Sequence, residues 1–292
     1  MSEGDNHADT SYIAQRRIGA ATITVISEGV VGVPLTMVCP APEAAWLRQR
    51  GEADDDLFVG GQAVIHVALG DASAIIDPAF DDPGSTWDRH FATRWPRVER
   101  SPGLGAALAA IGADPETVTH VLITHAHDDH FAGVLQERDG QLAARFPHAR
   151  HFIGAGDWMG NPRHEQVDSD FAARLGPIAA LGLLDQVTGD REIAPGIDFL
   201  HAPGESPGHS IVRVSSNGET FYALGDLFHH ACEIEHLDWH SPWVEPSAMR
   251  DSRHRLLAAA VPQAATIVFT HEPFPAWGRI VREGAGYRWA RG

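Results

Sequence analysis

The segment Val118-Thr119-His120-Val121-Leu122-Ile123-Thr124-His125-Ala126-His127-Asp128-Asp129-His130 carries two signals in succession. Its first half is mostly apolar and β-branched, the composition of a buried strand. Its second half sets His125, His127, Asp129 and His130 within six residues. His125 and His127 are two apart in extended chain and face one side. Asp129 and His130 open the helix that follows and point to the other. Such neighbours serve two adjacent ions better than one. Zinc takes imidazole nitrogen and carboxylate oxygen, and a catalytic zinc keeps a position open for water. A solvated His/Asp-rich loop would suit an isolated His-x-His, but not the full pattern at a strand end.

Further donors are expected at other strand ends. Strands are predicted over Thr22–Ser27, Ala63–Leu69 and Ser73–Asp77, the last two joined by a turn at Gly70-Asp71. His151–Gly154, Ile197–Ala202, Ile211–Ser215, Thr220–Leu224 and Thr266–Thr270 follow, with Asn217-Gly218 a type I′ turn signal. Helices are predicted over Leu104–Ile111 and Met249–Ala260, and over Phe171–Leu184 with a break near Gly176-Pro177. His209, Asp226 and His271 stand where strands begin or end. The order of elements predicts one α/β domain over residues 1–292, an αββα sandwich. Two mixed sheets would pack face to face with helices on both outer sides, in approximate halves 1–190 and 191–292. Residues 1–10 are expected to be disordered, and the polar stretch 40–58 to be an insertion or a lid.

These segments together resemble the metallo-β-lactamase superfamily: Asp77 closing a strand, His125-x-His127-x-Asp129-His130, His209, Asp226 and His271, in that order. The resemblance implies that His125, His127 and His209 bind one metal and that Asp129, His130 and His271 bind a second. It implies that Asp226 bridges the two and that Asp77 orients ligand loops, although a strand-end cap is an equal account of Asp77. Two Zn2+ are the expected cofactors, with Mn, Co or Fe as alternatives. Such a pair shares a hydroxide and lowers its pKa towards neutrality. Asp129 then serves as the proton acceptor. Phe146-Pro147-His148-Ala149-Arg150, Gly156-Asp157-Trp158, Gly225-Asp226-Leu227-Phe228-His229 and Gly278-Arg279-Ile280-Val281 resemble the branch of N-acyl homoserine lactonases and methyl parathion hydrolase-type enzymes. The chain departs from that branch at Ile76-Asp77-Pro78-Ala79, where Thr-Gly is common after the Asp. It departs again at His229, where one lactonase type has a tyrosine aimed at the substrate carbonyl.

The expected activity is hydrolysis of an ester or lactone. Hydrolysis of an organophosphate on the same metals is the enzyme rival, and an inactive metal-binding relative the non-enzyme one. A glyoxalase II type of thioesterase is disfavoured because no basic C-terminal extension is present. Gly204-Glu205-Ser206-Pro207-Gly208 also matches the nucleophile elbow of serine hydrolases. Pro207, however, lacks the N–H that such an elbow aims at the oxyanion. The stretch 228–243 should overhang the metals, with Phe228, His229, Trp239 and Trp243 as candidate substrate contacts. For the aromatics, core packing or a subunit contact in a homodimer stands beside that reading. The clustered His229, His230, Cys232, His236 and His240 lack the spacing of a known zinc site and read as surface or pocket polarity.

The 292 residues include 39 acidic and only 22 basic ones, a formal charge of −17, which argues against a nucleic-acid partner. No apolar run reaches the length of a membrane helix. Cys39 and Cys232 read as free thiols of a reducing compartment, and no secretory signal is evident, so a cytoplasmic protein acting on a small molecule is expected.

Overall fold

The computed structural model describes residues 11–138, 140–159 and 169–292. The expected disorder of residues 1–10 lies outside them. The first sheet contains β1 (Ile13–Ile18), β2 (Ala21–Pro34), β3 (Leu57–Leu69), β4 (Ala72–Ile76), β5 (Arg97–Arg100) and β6 (His120–Ile123). The short ribbon β7 (Leu135–Arg138) and β8 (Gln141–Ala144) stands apart, and β9 (Arg150–Gly154) and β10 (Leu184–Val187) complete the first sheet. Its order is β1-β2-β3-β4-β6-β9-β10, with β5 also on β2. The second sheet runs in sequence through β11 (Arg191–Ala194), β12 (Ile197–His201), β13 (Ser210–Ser216), β14 (Glu219–Ala223), β15 (Thr266–Val268), β16 (Gly278–Glu283) and β17 (Gly286–Arg291). Both sheets are mixed: β4-β6-β9-β10 and β14-β15 are parallel, and the other pairs antiparallel.

Alternation along the strands sorts side chains into layers. On β6, Val121 and Ile123 join an outer core with Leu104, Leu108, Phe171, Leu175 and Ile178 of two helices. Leu122, between them, faces inward with Ile23, Val25, Ile65 and Val67. There it meets Phe199, Val212, Val214 and Phe221 of the second sheet. Tyr222 of β14 points outward again, onto Met249, Leu256 and Leu257 of the helix Pro246–Ala260. Helix, sheet, sheet, helix is therefore the order of layers, held by three apolar seams. Among the described residues no helix is long and apolar enough to cross a membrane.

Two expectations need correction. The helix Asp170–Ala180 continues through Pro177 instead of breaking there, because a proline near a helix end forfeits one hydrogen bond and the Leu175 and Ile178 face remains buried. Residues 40–58 are not one insertion. They hold the helix Ala41–Arg50, ended by Gly51 in the left-handed region, and the first residues of β3. Leu47 and Ala44 pack with Leu35 and Phe58. Cys232 donates from Sγ to the buried Glu43 at 3.5 Å, so this helix is docked by a buried polar contact as well as by apolar ones. Glu43 itself is pushed up to about 8 by burial and then by the charge of Glu233.

Candidate metal centre

β4 and β6 run parallel, so their C-terminal ends lie side by side. Asp77 leaves β4 with a φ of 49° and turns its carboxylate across to the end of β6. Its Oδ1 accepts the Thr124 backbone N–H at 2.7 Å, and its Oδ2 accepts the Thr124 hydroxyl at 2.8 Å. Oδ2 also lies 2.9 Å from His130 Nδ1. The strand-end cap and the orientation of His130 are thus performed by one carboxylate, which fixes the proton on Nδ1 and leaves Nε2 as the ligand atom.

The second sheet delivers its residues to the same edge. Ser210 donates its backbone N–H to the Thr124 carbonyl at 2.9 Å, and Gly61 donates to the His271 carbonyl at 3.0 Å. Asp157 ties two loops together. It accepts the Ala126 N–H at 2.9 Å, the Gly208 N–H at 2.6 Å and the Ser206 hydroxyl at 2.8 Å. Ser206 is therefore held by a carboxylate rather than activated by a histidine, which removes the serine-nucleophile reading.

Two groups of donors result. His125, His127, Glu205 and Asp226 bring one atom each within 4.8 Å of one another, as do Asp129, His130 and His271. Asp226 stands between them. Its Oδ2 is 3.5 Å from His125 Nε2, while its Oδ1 is 3.3 Å from His130 Nε2 and 3.3 Å from His271 Nε2. Asp129 Oδ2 lies 3.7 Å from His271 Nε2 and 3.8 Å from His130 Nε2. His271 Nδ1 is 3.0 Å from the Gly61 carbonyl, and His209 Nδ1 is 2.9 Å from that of Ala202. The His209 ring lies 5.2 Å from that of His125, but its Nε2 accepts the Asp226 backbone N–H at 3.1 Å. His209 thus stands beside the first group rather than within it. Asp128 turns away to Arg94, 2.6 Å distant.

The electrostatics follow from crowding buried imidazoles around carboxylates. Burial opposes charge on His130, yet Asp226, Asp129 and Asp77 together hold it well above the ordinary range. Asp226 is held well below its range despite burial, by His130, His271 and His125. Burial and then His130 push His125 well down, and burial takes His209 down to about 4. Among the buried atoms without a hydrogen-bond partner are His130 Nε2, Asp226 Oδ1 and Glu205 Oε2. His130 Nε2 and Asp226 Oδ1, 3.3 Å apart, with Glu205 Oε2 in the neighbouring group, leave divalent cations as the partners their chemistry fits.

A cavity of about 370 Å³ opens over this edge, walled by Val31, Val33, Phe58, Phe91 and Trp95 and bounded by His127, Asp226, His229 and His271. Trp243 and His229 line it. Phe228 and Trp239 do not line it. The chain turns inward after Asp226, so Phe228 is fully buried with the Arg253 guanidinium 4.6 Å from its ring, and Trp239 stacks on His236. The apolar walls come instead from β2, β3 and the region of helix Thr86–Ala92; of these only Phe58, within the stretch read as an insertion or a lid, was anticipated. Glu205 was also missed as a donor, because the motif around it drew attention to Ser206.

His229 is oriented from behind. Its backbone N–H donates to Glu233 Oε2 at 3.1 Å, its Nδ1 is 3.5 Å from Glu233 Oε1, and Arg253 pairs with Glu233. Its Nε2 faces Asp226 Oδ2 at 3.4 Å. Burial opposes its charge, but Glu205, Asp226 and Glu233 hold it well above the ordinary range.

A family model described as the metallo-beta-lactamase superfamily matches residues 59–271. The chain belongs to the metallo-β-lactamase superfamily. That match begins in β3 and ends at His271, so it takes in every donor described above. Within the superfamily, the chain is 25% identical over 149 residues to the N-acyl homoserine lactonase AttM of Azorhizobium caulinodans. The aligned part covers 47% of this chain and 52% of AttM, so the chain spans about half the length of the curated relative it matches. Among solved structures, the hydrolase AbOPH superposes with a TM-score of 0.78 at 19% identity, covering 98% of this chain and 99% of its own. The dizinc quorum-quenching lactonase AidC, bound to a product, superposes with a TM-score of 0.74 at 18% identity and the same coverages. At these identities the superpositions speak to the metallo-β-lactamase fold alone. The molecule accordingly has the hydrolase fold of its superfamily and a candidate metal site at the shared edge of its two sheets.

Proposed function

We propose that the protein is a dinuclear metal-dependent hydrolase that cleaves an ester or lactone bearing an apolar arm, with both sheets serving one domain. The observation that carries this reading is Asp226, whose carboxylate stands 3.5 Å from His125 Nε2 of one group and 3.3 Å from His130 Nε2 and His271 Nε2 of the other. His125, His127 and Asp226, with His209 beside them, would hold one ion; Asp129, His130, His271 and Asp226 would hold the other. Zinc is the proposed metal, with manganese, cobalt or iron as substitutes. Bound there, divalent ions supply Lewis acidity and a water whose pKa lies near neutrality. Asp129, at the cavity edge, accepts the proton released in the attack and returns it to the leaving oxygen. His229, set by Glu233, donates from Nε2 to the substrate carbonyl oxygen as negative charge develops there. Val31, Val33, Phe58, Phe91 and Trp95 bury the arm, and the lactonase names of AttM and AidC favour an acylated lactone.

Metal analysis followed by rate measurements on an N-acyl homoserine lactone, an aryl ester and an aryl phosphotriester tests the proposal. Two ions per chain and turnover of lactone or ester above phosphotriester are expected. Fewer than two ions would sink the dinuclear assignment. A loaded enzyme that turns over only the phosphotriester would sink the substrate class.

A further inference from the structure

Glu205 is a buried carboxylate in the wall of the centre, and its surroundings specify what it does. Its side chain is fully shielded from solvent. The Trp243 indole N–H donates to Oε1 at 2.5 Å, while Oε2 has no hydrogen-bond partner and stands 3.8 Å from His229 Nε2. Oε1 is 3.4 Å from His127 Nδ1. Two ligand atoms on a tetrahedral ion with bonds of about 2 Å stand roughly 3.3 Å apart. That is also the separation of Asp226 Oδ1 from His130 Nε2, 3.3 Å, and close to that of Asp226 Oδ2 from His125 Nε2, 3.5 Å. Glu205 therefore takes the same spacing to His127 that Asp226 takes to its imidazoles. His209, by contrast, has its Nε2 engaged by the Asp226 amide.

We propose that Glu205 is a ligand of the first metal position, joining His125, His127 and Asp226, with the Trp243 indole as the outer contact that aims it. The proposal rests on the dinuclear reading above. It makes the centre richer in anionic oxygen: Asp129, Asp226 and Glu205 give three carboxylates against two dications, so one hydroxide brings the formal charge to zero. Oxygen ligands also favour harder ions, so the first position should take Mn2+ better, relative to Zn2+, than an all-imidazole set would. The function of Glu205 is then to hold and select the metal rather than to contact substrate.

The test compares the full-length wild-type protein with Glu205→Gln, which keeps the shape and removes the charge. Co2+, Mn2+ and Zn2+ are titrated into metal-free protein, with chelator competition for affinity and visible absorption for the Co2+ environment. The wild type should bind two Co2+ per chain. Glu205→Gln should bind one ion as before and the other at least about tenfold more weakly, since even outer-shell partners of metal ligands carry 10- to 100-fold. Its Co2+ spectrum should change for the weakened ion alone, and its Mn2+ affinity should fall by a larger factor than its Zn2+ affinity. Should the amide variant fail to fold, Glu205→Asp replaces it: one methylene shorter, it should still weaken one ion about tenfold. Two ions bound at wild-type affinity with an unchanged spectrum, in whichever variant folds, overturns the proposal. So does unchanged metal binding with a raised KM confined to cationic esters, which would make Glu205 a substrate contact. A wild type that binds fewer than two ions instead refutes the dinuclear reading and this proposal with it, and is distinguishable because no variant is needed to see it.

Discussion

Replacing Asp226 with alanine takes away the one side chain that faces both imidazole sets. The effect should exceed the roughly 10- to 100-fold that outer-shell partners of a metal carry. We expect kcat/KM to fall by more than 100-fold and bound metal to drop from two ions to one or fewer, read by elemental analysis of the same sample. Full activity with two ions would contradict the bridging role. His229 separates binding from chemistry. The residue lines the cavity, and Glu233, paired with Arg253, holds the ring at Nδ1. His229→Gln should lower kcat roughly 100-fold, the size of a lost donor to a developing oxyanion, with both ions retained. Loss of metal in that variant would make His229 a ligand or a structural prop instead. Asp226 could be singled out in the sequence because it follows a strand end, and His229 only through the resemblance of Gly225–His229 to the lactonase branch. Glu205 could not, since a buried glutamate in a loop leaves no periodic trace.

Whole elements meet at this edge with little clearance. Gly154 ends β9 so close to the 203–209 loop that a Cβ there would lie 1.9 Å from the Gly208 carbonyl oxygen. Backbone cannot yield as a flexible side chain can, so Gly154→Ala should cost at least the 1–3 kcal/mol typical of overpacking. It should also displace Gly208 and hence Glu205 and His209. The expected result is a lower urea midpoint of the metal-free protein together with weaker binding of one ion. Gly286→Ala is the matched control: it opens β17 at the surface, the nearest atom to its Cβ is 3.9 Å away, and stability should change by less than about 0.5 kcal/mol. Equal midpoints for the two variants would show that the close approach carries no cost. The central strands around these contacts could be read in advance because they are short, apolar and bounded by turn residues. β1, β5 and β17 could not, because edge strands such as IAQRRI and GYRWAR mix charge with apolar residues. Their pairing is decided by neighbours distant in sequence, and tertiary context overrides weak local preference.

At the scale of the whole molecule, three apolar seams enclose ionisable groups whose protonation the fold must keep constant. His151, on β9 and away from the metal edge, is the clearest. Its Nδ1 lies 3.1 Å from the Ala149 carbonyl, its Nε2 has no hydrogen-bond partner, and the side chain sits in the packed sheet. Burial lowers its pKa from 6.5 to about 4, opposed in part by the Ala149 carbonyl and aided slightly by the Arg150 charge. The sign of the consequence is fixed by linkage. Above pH 6.5 the ring is neutral in both states and stability is unaffected. Between 6.5 and about 4 the unfolded chain binds a proton that the folded chain refuses, so stability falls as pH falls. Below about 4 both states are protonated and the loss levels off. At 1.36 kcal/mol per unit, the full loss is on the order of 3 kcal/mol, and about 2 kcal/mol is gone by pH 5. Urea unfolding of the metal-free protein at pH 7.5 and pH 5, in parallel with His151→Asn, isolates this group, because the other histidines contribute equally to both proteins. The wild type should lose about 2 kcal/mol more than the variant between the two conditions. Parallel losses would mean that water or a shifted strand lets the folded protein protonate His151 after all, and that the first sheet is looser around β9 than its packing implies.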